Sequence, residues 1–279
     1  MNPNLAEFLS AADQSLSSPT QSNYRGPVHV GVDLGTAYTG IFVLDQDYQP
    51  LAGAYEFTQV VRDGLVVDFA GAVALVRKLK QRLEDRLGFE LTSAATAYPP
   101  GVPVVEVRAG KYVLEASGLE CSALVEEPTA ANAVLQIEHG AVVDIGGGTT
   151  GIAVVKNGEV VYTADEPTGG THFTLVISGA HRIPFEDAEA LKTQPSEQGR
   201  LFPVIRPVME KVGSIIERHI RDHAVGHIYL VGGTSAFLGI ADVITNVTGV
   251  EAVVPGNPLW ITPLGIAMHD QNHHPSNRG

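Results

Sequence analysis

The chain of 279 residues has one cysteine, one tryptophan and few basic side chains, 18 Lys and Arg against 31 Asp and Glu. The single thiol, Cys121, cannot close an intrachain disulfide, which fits a reducing compartment, and its neighbours Leu119 and Leu124 mark it as packed. A formal charge of -13 argues against nucleic acid or an anionic membrane as partner. No run approaches the roughly 18 apolar residues of a membrane span, and the N-terminus lacks a basic region followed by an apolar one. The 10 histidines are scattered, not clustered at metal-ligand spacings. What these absences leave is a cytoplasmic globular chain, 44% hydrophobic, able to bury one large core or two lobes.

Leu5, Phe8, Leu9, Ala12 and Leu16 recur at helical spacing and are followed by the polar SLSSPTQSNYRGP, so residues 1–26 read as an amphipathic helix on a flexible linker. VHVGVDLG and YTGIFVLD are β-rich runs around a glycine turn, a hairpin over 28–45. From Val67 the pattern becomes helical: Phe69, Val73, Val76, Leu79, Leu83 and Leu87 share a face, charged residues fill the other, and Gly88 ends the run. SAATAY is a strand entering a Pro-rich loop, 111–118 is helical, and SALVEEPTAANAVLQI is a strand followed by a helix opening at Pro128. A second hairpin covers 141–163, then come IPFEDAEALK and a long helix from about Val204 to His223, two late strands in HIYLVGG and AVVPG, and a last helix starting near Thr262. A tail, 271–279, closes a chain in which strands and helices alternate, as α/β architecture requires.

The second hairpin repeats the first. VVDIGGGTTGIAVV, from Val142, aligns without gaps on GVDLGTAYTGIFVL, from Gly31, matching Val32/Val143, Asp33/Asp144, Gly35/Gly146, Thr39/Thr150, Gly40/Gly151, Ile41/Ile152 and Val43/Val154. An Asp leaving a strand, followed by Gly and a small or hydroxyl residue, lets backbone N–H groups approach a phosphate while the carboxylate faces its metal. Alone, such a turn is usually only a turn; the pairing is what points to polyphosphate. Three more segments fit: Glu126-Glu127-Pro128 at a strand-to-helix junction, Gly232-Gly233-Thr234-Ser235 after a strand, and NPLWITPLGIAMH, whose Pro263 and Gly265 suit close packing.

In this order the five segments resemble the phosphate 1, connecting 1, phosphate 2, adenosine and connecting 2 motifs of the actin/Hsp70/sugar-kinase superfamily, with GVDLGT, VEEPTAANA, VDIGGGTT and LVGGTS most similar to the Hsp70, MreB, FtsA and PilM branch. AATAYPPGV, LEASGLECSALVEEPTA and VVKNGEVVYTADEPTGG are similar to the EutJ family of ethanolamine-utilisation proteins, described as chaperone-like. The resemblance implies an actin-like ATPase (ribonuclease H-like) fold of two α/β lobes around a nucleotide cleft, with small subdomain insertions. Lobe I would take 27–142 plus 258–270 and lobe II 143–257. It implies ATP and Mg2+ as cofactors: Asp33 and Asp144 on hydrated Mg2+, Gly35, Thr36, Gly146, Gly147, Gly148 and Thr149 on the phosphates, Glu127 orienting water, and Glu189, Lys192, Gly232, Gly233 and Thr234 on the nucleoside. Glu127 also reads as a helix-start carboxylate, and Glu189 and Lys192 as a surface ion pair.

The departures are Gly151, with Gly40 at the matching place, where Hsp70 relatives carry an acid, and Ala37 where Hsp70 has a second threonine. They imply nucleotide binding with slow or absent hydrolysis. The client implied by resemblance is ethanolamine ammonia-lyase or the bacterial microcompartment, where a tethered N-terminal helix would serve as a targeting segment; a helix packed on its own domain gives the same pattern. A filament-forming actin and, with no acceptor-activating Asp motif in view, a small-molecule kinase are the alternatives.

Overall fold

The computed structural model describes residues 2, 4–18, 24–62 and 64–271, with the side chains of 104–106 left aside. Of the expected disordered tail, 271–279, all but residue 271 lies outside the described residues, as does the linker at 19–23. The chain divides into two compact units, residues 1–136 with 260–279, and residues 137–259.

Unit 1 starts with α1 (Leu5–Ser17), followed by β1 (Val28–Leu34), β2 (Tyr38–Asp45), β3 (Pro50–Phe57), the short β4 (Val61–Arg62) and β5 (Leu65–Val66), and α2 (Phe69–Leu87). Next come β6 (Ser93–Tyr98), α3 (Val104–Ala116), β7 (Glu120–Glu126) and α4 (Glu127–Leu135). Unit 2 holds β8 (His139–Ile145), β9 (Thr150–Lys156), β10 (Glu159–Glu166), α5 (Gly170–His181), α6 (Phe185–Lys192), α7 (Pro195–Ile220), β11 (His227–Val231), a 3-10 turn (Gly233–Ala236), α8 (Ile240–Thr248) and β12 (Glu251–Val253). α9 (Ile261–Met268) returns to unit 1.

The two main sheets have one plan. Their orders are β3-β2-β1-β6-β7 and β10-β9-β8-β11-β12, each an antiparallel three-strand meander extended by two parallel strands. The repeat noticed in fourteen residues is thus the kernel of a duplicated sheet. Alternation along the strands then assigns faces. In unit 1, Val28, Val30, Val32, Ile41 and Val43 pack with α2 and α3, while α1, α4 and α9 cover the other face. In unit 2, Ala141, Val143, Ile145, Ile152 and Val154 pack under α5, α6, α7 and α8.

Both expected lobe boundaries move. A cut between 142 and 143 would pass through β8, which pairs with β9 along its length and with β11; the division instead follows Gln136, the left-handed residue that ends α4. The expected start of the returning segment at 258 moves to 260, because Pro258 O accepts from Gly232 N (3.0 Å) inside unit 2. The N-terminal helix is no free appendage: Leu5, Phe8, Leu9 and Ala12 are buried, Asp13 accepts from Trp260 Nε1 (2.6 Å), and Arg86 donates to Ser15 O and Gly53 O. α7 begins at Pro195, earlier than the sequence suggests, and runs through Pro203 and Pro207 because Leu201, Ile205, Met209, Val212 and Ile216 form one buried stripe that outweighs the roughly 3 kcal/mol of an interior proline. Close packing at Gly265 is real: a Cβ there would lie 1.8 Å from Ala130 O, so α9 crosses α4 backbone to backbone.

One carboxylate fastens the returning segment. Asp270, 4% exposed, accepts from Val30 N (2.9 Å) and Ser122 Oγ (2.5 Å), and its carbonyl meets His29 Nδ1 (3.1 Å). Asp270→Ala strands the buried Val30 N–H and the half-buried Ser122 hydroxyl and lowers stability by about 2–3 kcal/mol, to be read as a lower urea midpoint at unchanged slope.

Candidate functional site

Both hairpins carry an Asp one residue before the strand ends and close their loops by the same bond. Gly35 N donates to Tyr38 O and Gly146 N to Thr149 O, each at 3.0 Å. Asp33 pairs with Gly40 across the first hairpin and Asp144 with Gly151 across the second. Asp33 is half-buried and Asp144 is 7% exposed.

The second loop is held from behind. Gly170 N donates to Gly146 O (2.9 Å) and Thr171 N to Gly147 O (2.8 Å), while Thr234 Oγ1 adds a bond to Gly146 O (2.8 Å). In a trans peptide the N–H points opposite to the C=O. Turning the carbonyls of Gly146 and Gly147 toward α5 therefore sends the N–H groups of Gly147 and Gly148 the other way, where they have no acceptor among the described residues. The positive end of α5 also polarises both peptides. The result is a pair of adjacent outward N–H donors, an arrangement of the kind from which backbone binds anions. In the first loop the N–H groups of Thr36 and Ala37 likewise have no acceptor among the described residues.

This contact needs bare backbone. A Cβ at Gly170 would lie 2.4 Å from Thr234 Oγ1, and one at Gly169 between 2.7 and 2.9 Å from three atoms of the loop. Gly232, with φ +84°, passes so near Asp144 that a Cβ would sit 2.2 Å from Oδ1. The family resemblance implies that Gly232, Gly233 and Thr234 lie beside a nucleoside. In the structure Thr234 Oγ1 bonds Gly146 O of the second hairpin loop, and the same unit holds a cavity of about 420 Å³ lined by Ser235, Phe237, Ile240, Val254 and Asn257.

Glu189 and Lys192, on α6, are a buried pair with side chains 13% and 12% exposed, not a solvated surface pair. Lys192 Nζ bonds Glu189 Oε2 (2.6 Å), Thr174 Oγ1 (2.9 Å) and Gly170 O (3.1 Å), and Thr174 donates to Glu189 at 2.5 Å. Burial pushes the Lys192 pKa down, with the Glu189 charge opposing it. The pair braces the turn that braces the loop. Glu127 opens α4 beside Pro128, at the carboxyl edge of the sheet where β1 and β7 also end, in the favourable field of the helix N-terminus.

Sequence reasoning missed the groups that tie β10 into this frame. Thr150 Oγ1 donates to Thr168 O (2.5 Å), Glu166 Oε1 accepts from Arg218 (2.5 Å) and faces His219 Nε2 (2.8 Å), and His219 Nδ1 lies 2.7 Å from the Tyr162 hydroxyl. Glu166 and His219 stand 53 positions apart, with no local pattern to announce them.

Two outcomes test this frame. Lys192→Met leaves the Glu189 carboxylate buried without its cation and costs about 3–5 kcal/mol, most of it recovered when Glu189→Gln is added, as a double-variant cycle in denaturant would read. The hydrogen bond from His219, with Arg218 adding, holds the Glu166 carboxyl below its usual range against the opposing effect of burial. Its contribution is therefore complete above the ordinary carboxylate pKa and lost as pH falls through the lowered folded value. Glu166→Gln should cost about 1 kcal/mol at neutral pH, with the difference vanishing in acid, as unfolding measured from neutral pH downward would show.

Comparison with known proteins follows the same outline. Family models match in two stretches, cell division protein FtsA over residues 141–276 and MreB/Mbl protein over 53–186. The chain is 41% identical to ethanolamine utilization protein EutJ of Escherichia coli, over 91% of this chain and 90% of that one. It superposes on the crystal structure of EutJ from Carboxydothermus hydrogenoformans with a TM-score of 0.89 and 44% identity, covering 95% and 98% of the two chains. MreB5 of Spiroplasma citri bound to ADP shares the fold alone, at TM-score 0.70, 17% identity and 88% and 96% coverage. The fold is that of the actin-like ATPases.

Proposed function

Because the chain belongs to the EutJ family of ethanolamine utilization proteins, we propose that it is an ATP-binding, chaperone-like accessory protein of that process, with slow or absent hydrolysis. The observation that carries the reading is the pair of Asp-x-Gly hairpins closed by one type of bond, the second of which turns two adjacent backbone N–H groups away from α5. Such donors grip phosphate whatever the side chains around them do. The cavity after the 3-10 turn, largely apolar with Ser235 and Asn257 at hand, has room for a heterocycle.

Mg2+ fits the residues present. Among the described residues no three His, Cys, Asp or Glu side chains form a metal-binding group, so the ion would keep its water and sit on the phosphates. Asp33 and Asp144 would each meet such an ion through its water. When bound, Mg2+ would neutralise phosphate charge. Glu127 would orient a water, but Gly40 and Gly151 bring no carboxylate of their own, which is why turnover should be slow.

The client proposed is ethanolamine ammonia-lyase or proteins of a bacterial microcompartment, met in the cytoplasm. Pulldown with and without ATP that recovers neither would remove this assignment. For the site, calorimetric titration with Mg-ATP should give saturable binding that is lost in an Asp33→Ala, Asp144→Ala double variant, with phosphate release well below about 1 per second. Flat titrations would leave a nucleotide-free adaptor, and faster release would overturn the account of Gly40 and Gly151.

A further inference from the structure

The chain passes from unit 1 to unit 2 at the peptide after Gln136 and comes back at the peptide before Trp260. One element of unit 1 is bonded beside both crossings. At the head of α1, Asn2 N donates to Leu135 O (2.8 Å) and the Asn2 side-chain amide to Val134 O (3.4 Å), on the last turn of α4. A helix end leaves these carbonyls without partners of its own, and the left-handed Gln136 follows them directly. Toward the other end of α1, Asp13 accepts from Nε1 of Trp260 (2.6 Å), the first residue of the return. Trp260 is the single tryptophan of the chain, 5% exposed, with its ring against Phe42 at 5.5 Å and Tyr55 at 4.9 Å. Its indole can lie buried there because α1 supplies the acceptor its N–H needs.

Between these two bonds α1 is one continuous helix, seated by Leu5, Phe8, Leu9 and Ala12. Leu16 lies so near Gly53 that a Cβ on that glycine would come within 2.8 Å of it, and Arg86 donates to Ser15 O (2.7 Å). No strand ladder includes α1. What holds it on is side-chain packing and end bonds, a set that can be released in one local opening while the sheet stays intact.

We propose that α1 is a clasp on both crossings. Seated, it fixes the end of α4 and the start of the returning segment together. Lifted as a unit, at less cost than unfolding the sheet, it frees both. Hinges are a few element-terminal residues that absorb backbone rotation. Gln136 and Trp260 stand at such places, and the seat of α1 decides how freely they turn.

Native-state hydrogen exchange of the full chain in low urea, read by mass spectrometry, tests this without nucleotide, so the outcome is separate from the nucleotide reading. Peptides covering α1, the end of α4 and the start of α9 should share one opening, with a urea slope smaller than that of β1 and β2. Asp13→Ala takes a charged acceptor from a buried indole and should speed exchange in all three by one factor, about tenfold or more. That includes the end of α4, whose bonds come from Asn2. Asp13→Asn, which keeps an acceptor oxygen, should stay near the unaltered protein. Far-ultraviolet dichroism verifies folding, and Trp260→Phe is the second removal should the alanine variant fail to fold. Faster exchange confined to α1 and the start of α9, with the end of α4 unchanged, overturns the clasp. Exchange of all three peptides only through global unfolding overturns it as well.

Discussion

Unit 2 is organised by a contact between two pieces of backbone. The first amides of α5 donate to the carbonyls of Gly146 and Gly147, and the planarity of the peptide converts that attachment into an outward pair of N–H groups. The rest follows from keeping the two pieces close. Glycine is required at 169 and 170 because any side chain would enter the loop or strike Thr234, and Thr234 is spent on Gly146 O instead of facing solvent. A loop whose carbonyls are already satisfied cannot turn its peptides over without breaking two or three bonds, so the donors are set in advance and a ligand need not order them.

The buried Glu189–Lys192 pair belongs to the same logic. Desolvating two charges costs free energy that their attraction only partly returns, and the lowered Lys192 pKa registers that cost on the lysine side. What the pair gives back is geometry, since one ammonium reaches Gly170 O, Thr174 and Glu189 at once. In unit 1 the corresponding work is done by aromatic packing, with Tyr38, Tyr55 and Phe57 in ring contact beside the first hairpin and Trp260 under Tyr55. One sheet plan therefore carries two kinds of support, ionic and aromatic.

The duplicated hairpins were legible because their requirements are local: an Asp, a glycine turn and a β-rich run lie within fourteen residues. The carboxylate at the head of α4 could be read for the same reason, next to a proline that starts helices. Lobe limits were harder. β8 reads as a hairpin arm whichever sheet owns it, and only its pairing with β11, whose Tyr229 stands opposite Val142, assigns the whole strand to unit 2. Prolines 203 and 207 read as breakers until the buried stripe around them is counted. The α1 pattern was compatible with a free or a packed helix, since its apolar face must be covered in either case, and the bonds of Asp13 and Arg86 that decide between them join residues far apart in sequence.

Asp165 shows the limit most clearly. Along the chain it stands 14 residues after Gly151, inside a run of acidic and small residues that reads as a strand end and turn. Its relation to Asp144 exists only in the direction across the sheet, which no period along the chain expresses. Judged position by position, a glycine in place of an acid looks like the loss of a function. Judged by row, Asp144 and Asp165 stand on one face of the sheet with Gly151 between them.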